Sequence, residues 1–327
     1  MVCGITLRDF SPSFYLPTRL PCFSRFAVAI LTAASLAGCH RILPVAAPDR
    51  SLAALSQLPS DTQVVLSVDL DRLRSQPAWK TISSVLARSA KHFLDEVVAG
   101  MGIDPARQFH RIWIALPNQP QSDGRFVLLA ETDPIDRKRA MAWLTGRARD
   151  GLVASLPNSR QVMISKGAWA AAPARAGSAA GNSELRRLCE RASDDGAHGF
   201  WFAALVPTSA RDALKGSGPL ADASSMARVF GFLDDAAGLQ LQVVGELTNT
   251  ADPPLLAHRL KMFHNQAKRN PDVLVAGLSP YLESLRVDVH DAQVQIAANF
   301  PDAQVGDVLD RIEALALVAR TKYSRAP

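Results

Sequence analysis

Twice along this chain the residues spell the same order of elements: strand, helix, hairpin, helix, hairpin, helix. In the first reading, DTQVVLSVDL (61–70) is rich in β-branched residues between polar bounds, which predicts a strand. Pro77 opens a helical stretch running from Ala78 toward Gly100. RIWIALP (111–117) and RFVLLAET (125–132) predict a hairpin around Asp123-Gly124. Thr132-Asp133-Pro134 predicts the start of a helix carrying Ile135, Met141, Trp143 and Leu144. GLVASLP and RQVMISK, split by Asn158-Ser159, predict a second hairpin. The helix SELRRLCERA (183–192) closes the series, with Leu185, Leu188, Cys189 and Ala192 on one stripe.

The second reading begins with the strand GFWFAALVP (199–207) and a short helix around 208–216. MARVFGFLD (226–234) and LQLQVVGELT (239–248) predict a hairpin around Ala237-Gly238. Ala251-Asp252-Pro253 starts a helix bearing Leu256, Leu260 and Phe263, and a further helical piece spans 272–283. SLRVDVH and AQVQIAANF form a hairpin across Asp291. A last helix begins at Pro301 and shows Val305, Val308, Leu309, Ile312, Leu315 and Ala319 on one side.

ETDPIDRKRAMAWL and LTNTADPPLLAHRL align at strand end, Asp-Pro and helix start; NSRQVMISK and DAQVQIAAN match in the later hairpin. The expected fold is therefore α+β: two related units, 61–196 and 197–327, each an antiparallel-rich sheet with helices packed on it. Chance repetition of common elements is the competing reading. Side-chain alternation separates the hairpins. Gln240, Gln242, Gln293 and Gln295 alternate with apolar residues and predict a wet face, whereas Trp113 opposes Ile112 and Ile114 and predicts cover on both faces.

Composition narrows the function classes. Hydrophobic residues make up 48%, ample for a packed core. Residues 1–38 carry three arginines and one aspartate, so the remainder has 33 basic and 30 acidic side chains. With aromatics at only 6% and no dense Lys/Arg run, the footprint of nucleic-acid binding is missing.

The N-terminal region has its own pattern. Arg8, Arg19 and Arg25 precede FAVAILTAASLAG (26–38), an uncharged run too short to cross a bilayer as a helix. It ends in Leu36-Ala37-Gly38-Cys39. A basic flank, an apolar run and small residues before a cysteine resemble the signal peptide and lipobox of bacterial lipoproteins. The resemblance implies cleavage between Gly38 and Cys39, a diacylglycerol on the Cys39 thiol and acylation, palmitate included, of the new amino terminus. His40 rather than aspartate after the cysteine implies the outer membrane of a Gram-negative cell. Residues 39–60, with three prolines and no clear period, are then expected to be a tether. Of four cysteines, Cys3 and Cys22 leave with the leader, Cys39 takes lipid, and Cys189 is expected as a small core residue.

Catalytic constellations are weak. Asp69 and Asp71 in SVDLDRL lie two apart and could hold Mg²⁺ with waters. The better reading makes Asp71 a helix cap. His258 and His264, six apart, fall on different sides of a helix; His92, His110, His198 and His290 stand apart in the sequence. AGLSPY around Ser279 lacks the second glycine of a G-x-S-x-G elbow. No cofactor motif is present. SVDLDRLRSQPAW, MGIDPARQFHRIWIALP and the doubled layout are similar to uncharacterised lipoproteins of myxobacterial type, a likeness of structural motifs that implies no activity. The expectation is a lipid-anchored envelope module that binds or scaffolds, with the membrane and an envelope protein as partners; the alternative is an envelope hydrolase with a site assembled from scattered residues.

Overall fold

The architecture is α+β in the computed structural model, which describes residues 50–76, 79, 83–84, 91–117, 125–146, 152–167, 169, 178–194, 197–215, 218–234, 239–249, 252–275, 277–301, 304–307 and 311. Ten strands form one continuous sheet in which every pairing is antiparallel. They are β1 (Thr62–Asp69), β2 (Phe109–Pro117), β3 (Phe126–Thr132), β4 (Leu152–Asn158), β5 (Gln161–Lys166), β6 (Phe200–Leu205), β7 (Met226–Asp234), β8 (Leu239–Leu247), β9 (Arg286–His290) and β10 (Gln293–Phe300). Ten α-helices lie among the described residues: α1 (Arg50–Ala53), α2 (Leu70–Arg74), α3 (Lys91–Met101), α4 (Pro105–Gln108), α5 (Arg137–Gly146), α6 (Ser183–Ser193), α7 (Thr208–Lys215), α8 (Pro253–Lys268), α9 (Pro271–Val275) and α10 (Ser279–Leu282).

The strand order is β4-β5-β3-β2-β1-β6-β7-β8-β10-β9. Outward from the central β1–β6 pair, each half runs through a hairpin and then places its fifth strand inside its fourth. The expected boundary at 196/197 falls between α6 and β6, yet the sheet runs through it unbroken because β6 pairs with β1 from Val64↔Ala204 to Val68↔Phe200.

Both faces of the central strands are buried, which explains why β1 and β2 read as apolar runs rather than clean alternations. On one face Val65, Trp113, Ala115, Val127, Leu129, Trp201, Ala203 and Phe230 pack beneath Leu52, Leu55, Leu58, Trp169 and the stripe of α6. Leu185, Leu188, Cys189 and Ala192 of that stripe are all fully buried. Asn182 caps α6, its side chain accepting the Leu185 N–H at 3.1 Å, and Asp194 ends the helix in a left-handed conformation.

On the other face Leu66, Val68, Ile112, Ile114, Leu128, Phe200, Leu233 and Leu239 pack with Leu70, Leu73 and Val305. Toward the sheet edges that face is covered by α3 and α5 on one side, through Val97, Met101, Ala140 and Leu144 against Leu156 and Val162. On the opposite side Leu256 and Ala257 of α8 cover Val287 and Val294. At Gly231 a Cβ would come within 2.5 Å of the Gln242 carbonyl oxygen and 2.6 Å of the Phe202 ring, so only glycine lets that ring lie across β7.

Three expectations change. The tether does not extend to residue 60: Leu52, Ala54, Leu55 and Leu58 are buried, because apolar side chains spaced like these gain more against the sheet than in water. The helix expected at Pro134 begins at Arg137, with the Asp136 carboxylate accepting the Arg139 N–H at 3.1 Å. The single helical piece 272–283 is two short helices separated by Gly277 in a left-handed conformation (φ 66).

Of the two hairpins β2–β3 is the better buried: residues 112–115 and 127–130 are buried without a break, while in β8 Gln240, Leu241, Gln242 and Val243 are all half-buried, so the expected alternation of wet and dry faces does not show there. Most of the last helix lies outside the described residues; its Val305 is buried.

Candidate functional site

Asp69 and Asp71 sit where β1 turns into α2, at the same sheet end as the start of β2 and the end of β3. The hairpin register Phe109↔Thr132 sets His110 and Asp133 side by side there. The structure assigns the two aspartates separate tasks. Asp69, not Asp71, is the cap of α2: its Oδ1 accepts the Arg72 N–H at 3.0 Å, and Arg111 engages its other oxygen. The sequence places Asp71 as the cap because it precedes an Arg-Leu-Arg helical pattern, but the backbone already turns helical at Leu70. Asp71 is instead held by Arg74, whose Nη1 donates to Oδ1 at 2.6 Å, and by His110.

His110 bridges two carboxylates. Its Nδ1 lies 2.9 Å from Asp71 Oδ2 and its Nε2 3.1 Å from Asp133 Oδ1. A neutral imidazole has one N–H and would satisfy one of these contacts; the imidazolium satisfies both. Desolvation works against the charged ring, but the hydrogen bonds and the charges of Asp71 and Asp133 together outweigh it and raise the His110 pKa above its ordinary value. Arg74 completes the assembly by donating from Nε to the Ala106 carbonyl at 2.8 Å and from Nη2 to that of Phe109, tying α2 to α4 and β2.

The arrangement is a clamp. Asp69 and Asp71 face different cations and do not converge on a shared point, so the Mg²⁺ reading is not supported by their geometry. Among the described residues no group of three His, Cys, Asp or Glu side chains is placed to hold a metal ion. Both nitrogens of His110 are occupied by carboxylates, which leaves neither to act as a base toward a nucleophile. Of the other described histidines, His264 Nε2 donates to the Leu282 carbonyl at 2.6 Å and His198 stacks on Phe232 with ring centroids 3.6 Å apart.

A second charged assembly was invisible in the sequence. Glu246 on β8, only 7% exposed, is gripped by Arg191 of α6 and by Arg228 of β7, whose Nη1 is 3.5 Å from Oε2. Gln293 of β10 donates to Glu246 at 3.1 Å, and Arg228 also pairs with Glu184 of α6 at 2.5 Å. The Arg191 guanidinium lies 4.3 Å from the Phe230 ring centroid. This network bonds α6, which precedes the expected unit boundary, to three strands that follow it. Its register pair Arg228↔Glu246 signals nothing until β7 and β8 are paired.

Gly38 and Cys39 lie outside the described residues, as do Cys3 and Cys22. Cys189, the described cysteine, is free and buried, and burial drives its thiol pKa strongly upward. No helix among the described residues is long and apolar enough to cross a membrane.

No known protein family matches the chain, and no curated protein matches its sequence. Among solved structures it is similar to crystal form I of TP0453, with 10% identity and a TM-score of 0.40, covering 83% of this chain and 99% of that one.

Proposed function

We propose that this chain is a lipid-anchored cell-envelope protein, attached through Cys39 to the outer membrane of a Gram-negative cell, that works as a non-catalytic binding or structural module. One observation carries the anchor: three arginines, an uncharged run and Leu36-Ala37-Gly38-Cys39 follow one another in the order that lipoprotein processing requires. The thiolate of Cys39 takes the lipid, and the small residues before it fit a protease cleft. Burial of Leu52 means that the body begins within about a dozen residues of Cys39, a span of at most roughly 45 Å when extended. The lipid therefore holds the sheet close to the bilayer.

The module reading draws on how the charged groups are spent. The His110 clamp and the Glu246 network each join separate elements of the fold, which is the work of a scaffold. The duplication belongs to the same proposal. Two diverged units joined edge to edge through β1 and β6 give a wide surface from a modest chain, and the matching strand order of the halves supports it.

The test is intact-mass analysis of the membrane fraction from cells expressing the whole chain. The expected product begins at Cys39 and carries the added mass of acyl chains, while Cys39→Ala accumulates as an uncut precursor. A Cys39→Ala chain trimmed at Gly38 like the native one overturns the anchor.

A further inference from the structure

We propose that the outward side of α8 and α9 is a docking surface for an anionic bilayer. The proposal rests on the anchor reading, because the lipid on Cys39 supplies the bilayer. Five large apolar side chains are exposed among the described residues: Val98, Val153, Leu255, Met262 and Leu274. Three of them, at 49%, 46% and 53% exposure, fall in α8 and α9. Leu255 and Met262 are seven residues apart, two helical turns, and project from the same side.

The charge on that stretch has one sign. From Pro253 to Pro271 the charged side chains are Arg259, Lys261, Lys268 and Arg269, with His258 and His264 beside them and no acid. Asp252 and Asp272 bound the stretch, and Glu283 from the end of α10 engages Lys268 at 3.3 Å. Exposed His258, Lys261 and Arg269 share the outer arc with Leu255 and Met262, while Leu256 and Ala257 hold the inner side against Val287 and Val294. The helix cannot turn to hide its outer apolar residues without unpacking its inner ones.

Apolar side chains set among cations on a convex helix match the layered chemistry of a lipid surface, acyl boundary below and phosphate above. An acidic protein would meet the cations but offers no such layer to Leu255, Met262 and Leu274. Ten residues lie between Cys39 and Arg50, and the eleven steps span up to about 40 Å when extended.

Hydrogen exchange on the full-length chain tests this in vesicles of phosphatidylcholine alone and with phosphatidylglycerol added. On anionic vesicles, peptides from 254–275 should exchange at least about threefold more slowly, while β4 at the far sheet edge stays unchanged. Lys261→Glu with Arg269→Glu should abolish the difference, as should high salt, with circular dichroism unaltered. Equal protection on both vesicle types, protection of β4 to the same degree, or protection that survives the double substitution overturns the surface. The anchor is read separately by intact mass. A lipidated chain with no protection at 254–275 sinks this surface alone, and an unlipidated chain sinks the anchor while the same exchange measurement, with vesicles added, still decides the surface.

Discussion

Trp113 of β2 and Trp201 of β6 stand on either side of Ser67 in β1, on the same face of the sheet. All three are buried, at 1%, 2% and 2% exposure. Neighbouring strands lie just under 5 Å apart, so the two indoles are rooted about 10 Å from one another with a small side chain between them. Ser67 provides the room in which both rings lie beneath α6 and the N-terminal segment.

That room makes position 67 intolerant of bulk. Ser67→Leu would push a branched side chain between the rings, and overpacking of this kind costs about 1–3 kcal/mol. Urea unfolding should show a lower midpoint with an unchanged slope. Ser67→Ala keeps the space and removes one hydroxyl, so it should lie close to the parent. A leucine variant as stable as the parent would mean that the two rings are not confined at this point.

His110 predicts a pH dependence whose sign is fixed. Its folded pKa is raised, so the clamp contributes fully below the unfolded value near 6.5 and is lost as pH rises through the folded pKa. The ring and its partners are partly exposed, which limits the contribution to under about 1 kcal/mol. His110→Gln should therefore narrow the stability difference between mildly acidic and mildly alkaline buffer. An NMR titration of the parent should place the His110 pKa above the ordinary histidine value; a value at or below it would show that Asp71 and Asp133 do not both hold the ring.

Much of the fold was legible because it is carried by local pattern. The β-branched run of β1, the turn residues of each hairpin and the stripe of α6 each point to one element type, and each element formed where expected. What escaped were contacts made across strands. His110 looks isolated in the sequence, as does Asp133; only the β2–β3 register brings them together, and the hairpin pairing Phe109↔Thr132 was the available signal. The sequence points to Asp71 as the cap where the structure uses Asp69, because a helix start is uncertain by a residue or two when the preceding strand itself ends in an acid. The N-terminal segment is hard to read from sequence for a different reason. Leu52, Leu55 and Leu58 show their purpose only against the sheet face that they cover.

Cys189 gives a chemical readout of packing. Burial holds its thiol in the protonated form, and α6 is pinned by both Asn182 and the Glu246 network. A water-soluble maleimide should label it slowly in the native protein and quickly in denaturant. Rapid native labelling, with circular dichroism unchanged, would mean that α6 lifts from the sheet under native conditions.

Glu246 is the sharpest energetic test, since it is a buried carboxylate answered by two arginines from different elements. Its desolvation is offset by Arg191, Arg228 and the Gln293 amide together, and the assembly contributes little net stability relative to an apolar one. Removing the carboxylate alone is a different matter: it leaves two guanidinium groups competing at a partly closed site. Breaking a buried pair in this way costs about 3–5 kcal/mol, and the lower part of that range applies because Arg191 stays 37% exposed and Arg228 keeps Glu184. Glu246→Gln should consequently lower the unfolding midpoint sharply, whereas Glu184→Gln, which breaks only the partly exposed pair, should cost under about 1 kcal/mol. The two variants also differ in where the damage falls. Loss of Glu246 frees α6 from β8 and β10, so maleimide labelling of Cys189 should accelerate in Glu246→Gln and stay slow in Glu184→Gln. Equal labelling rates in the two would show that apolar packing alone seats α6, with the Glu246 network adding nothing to its hold.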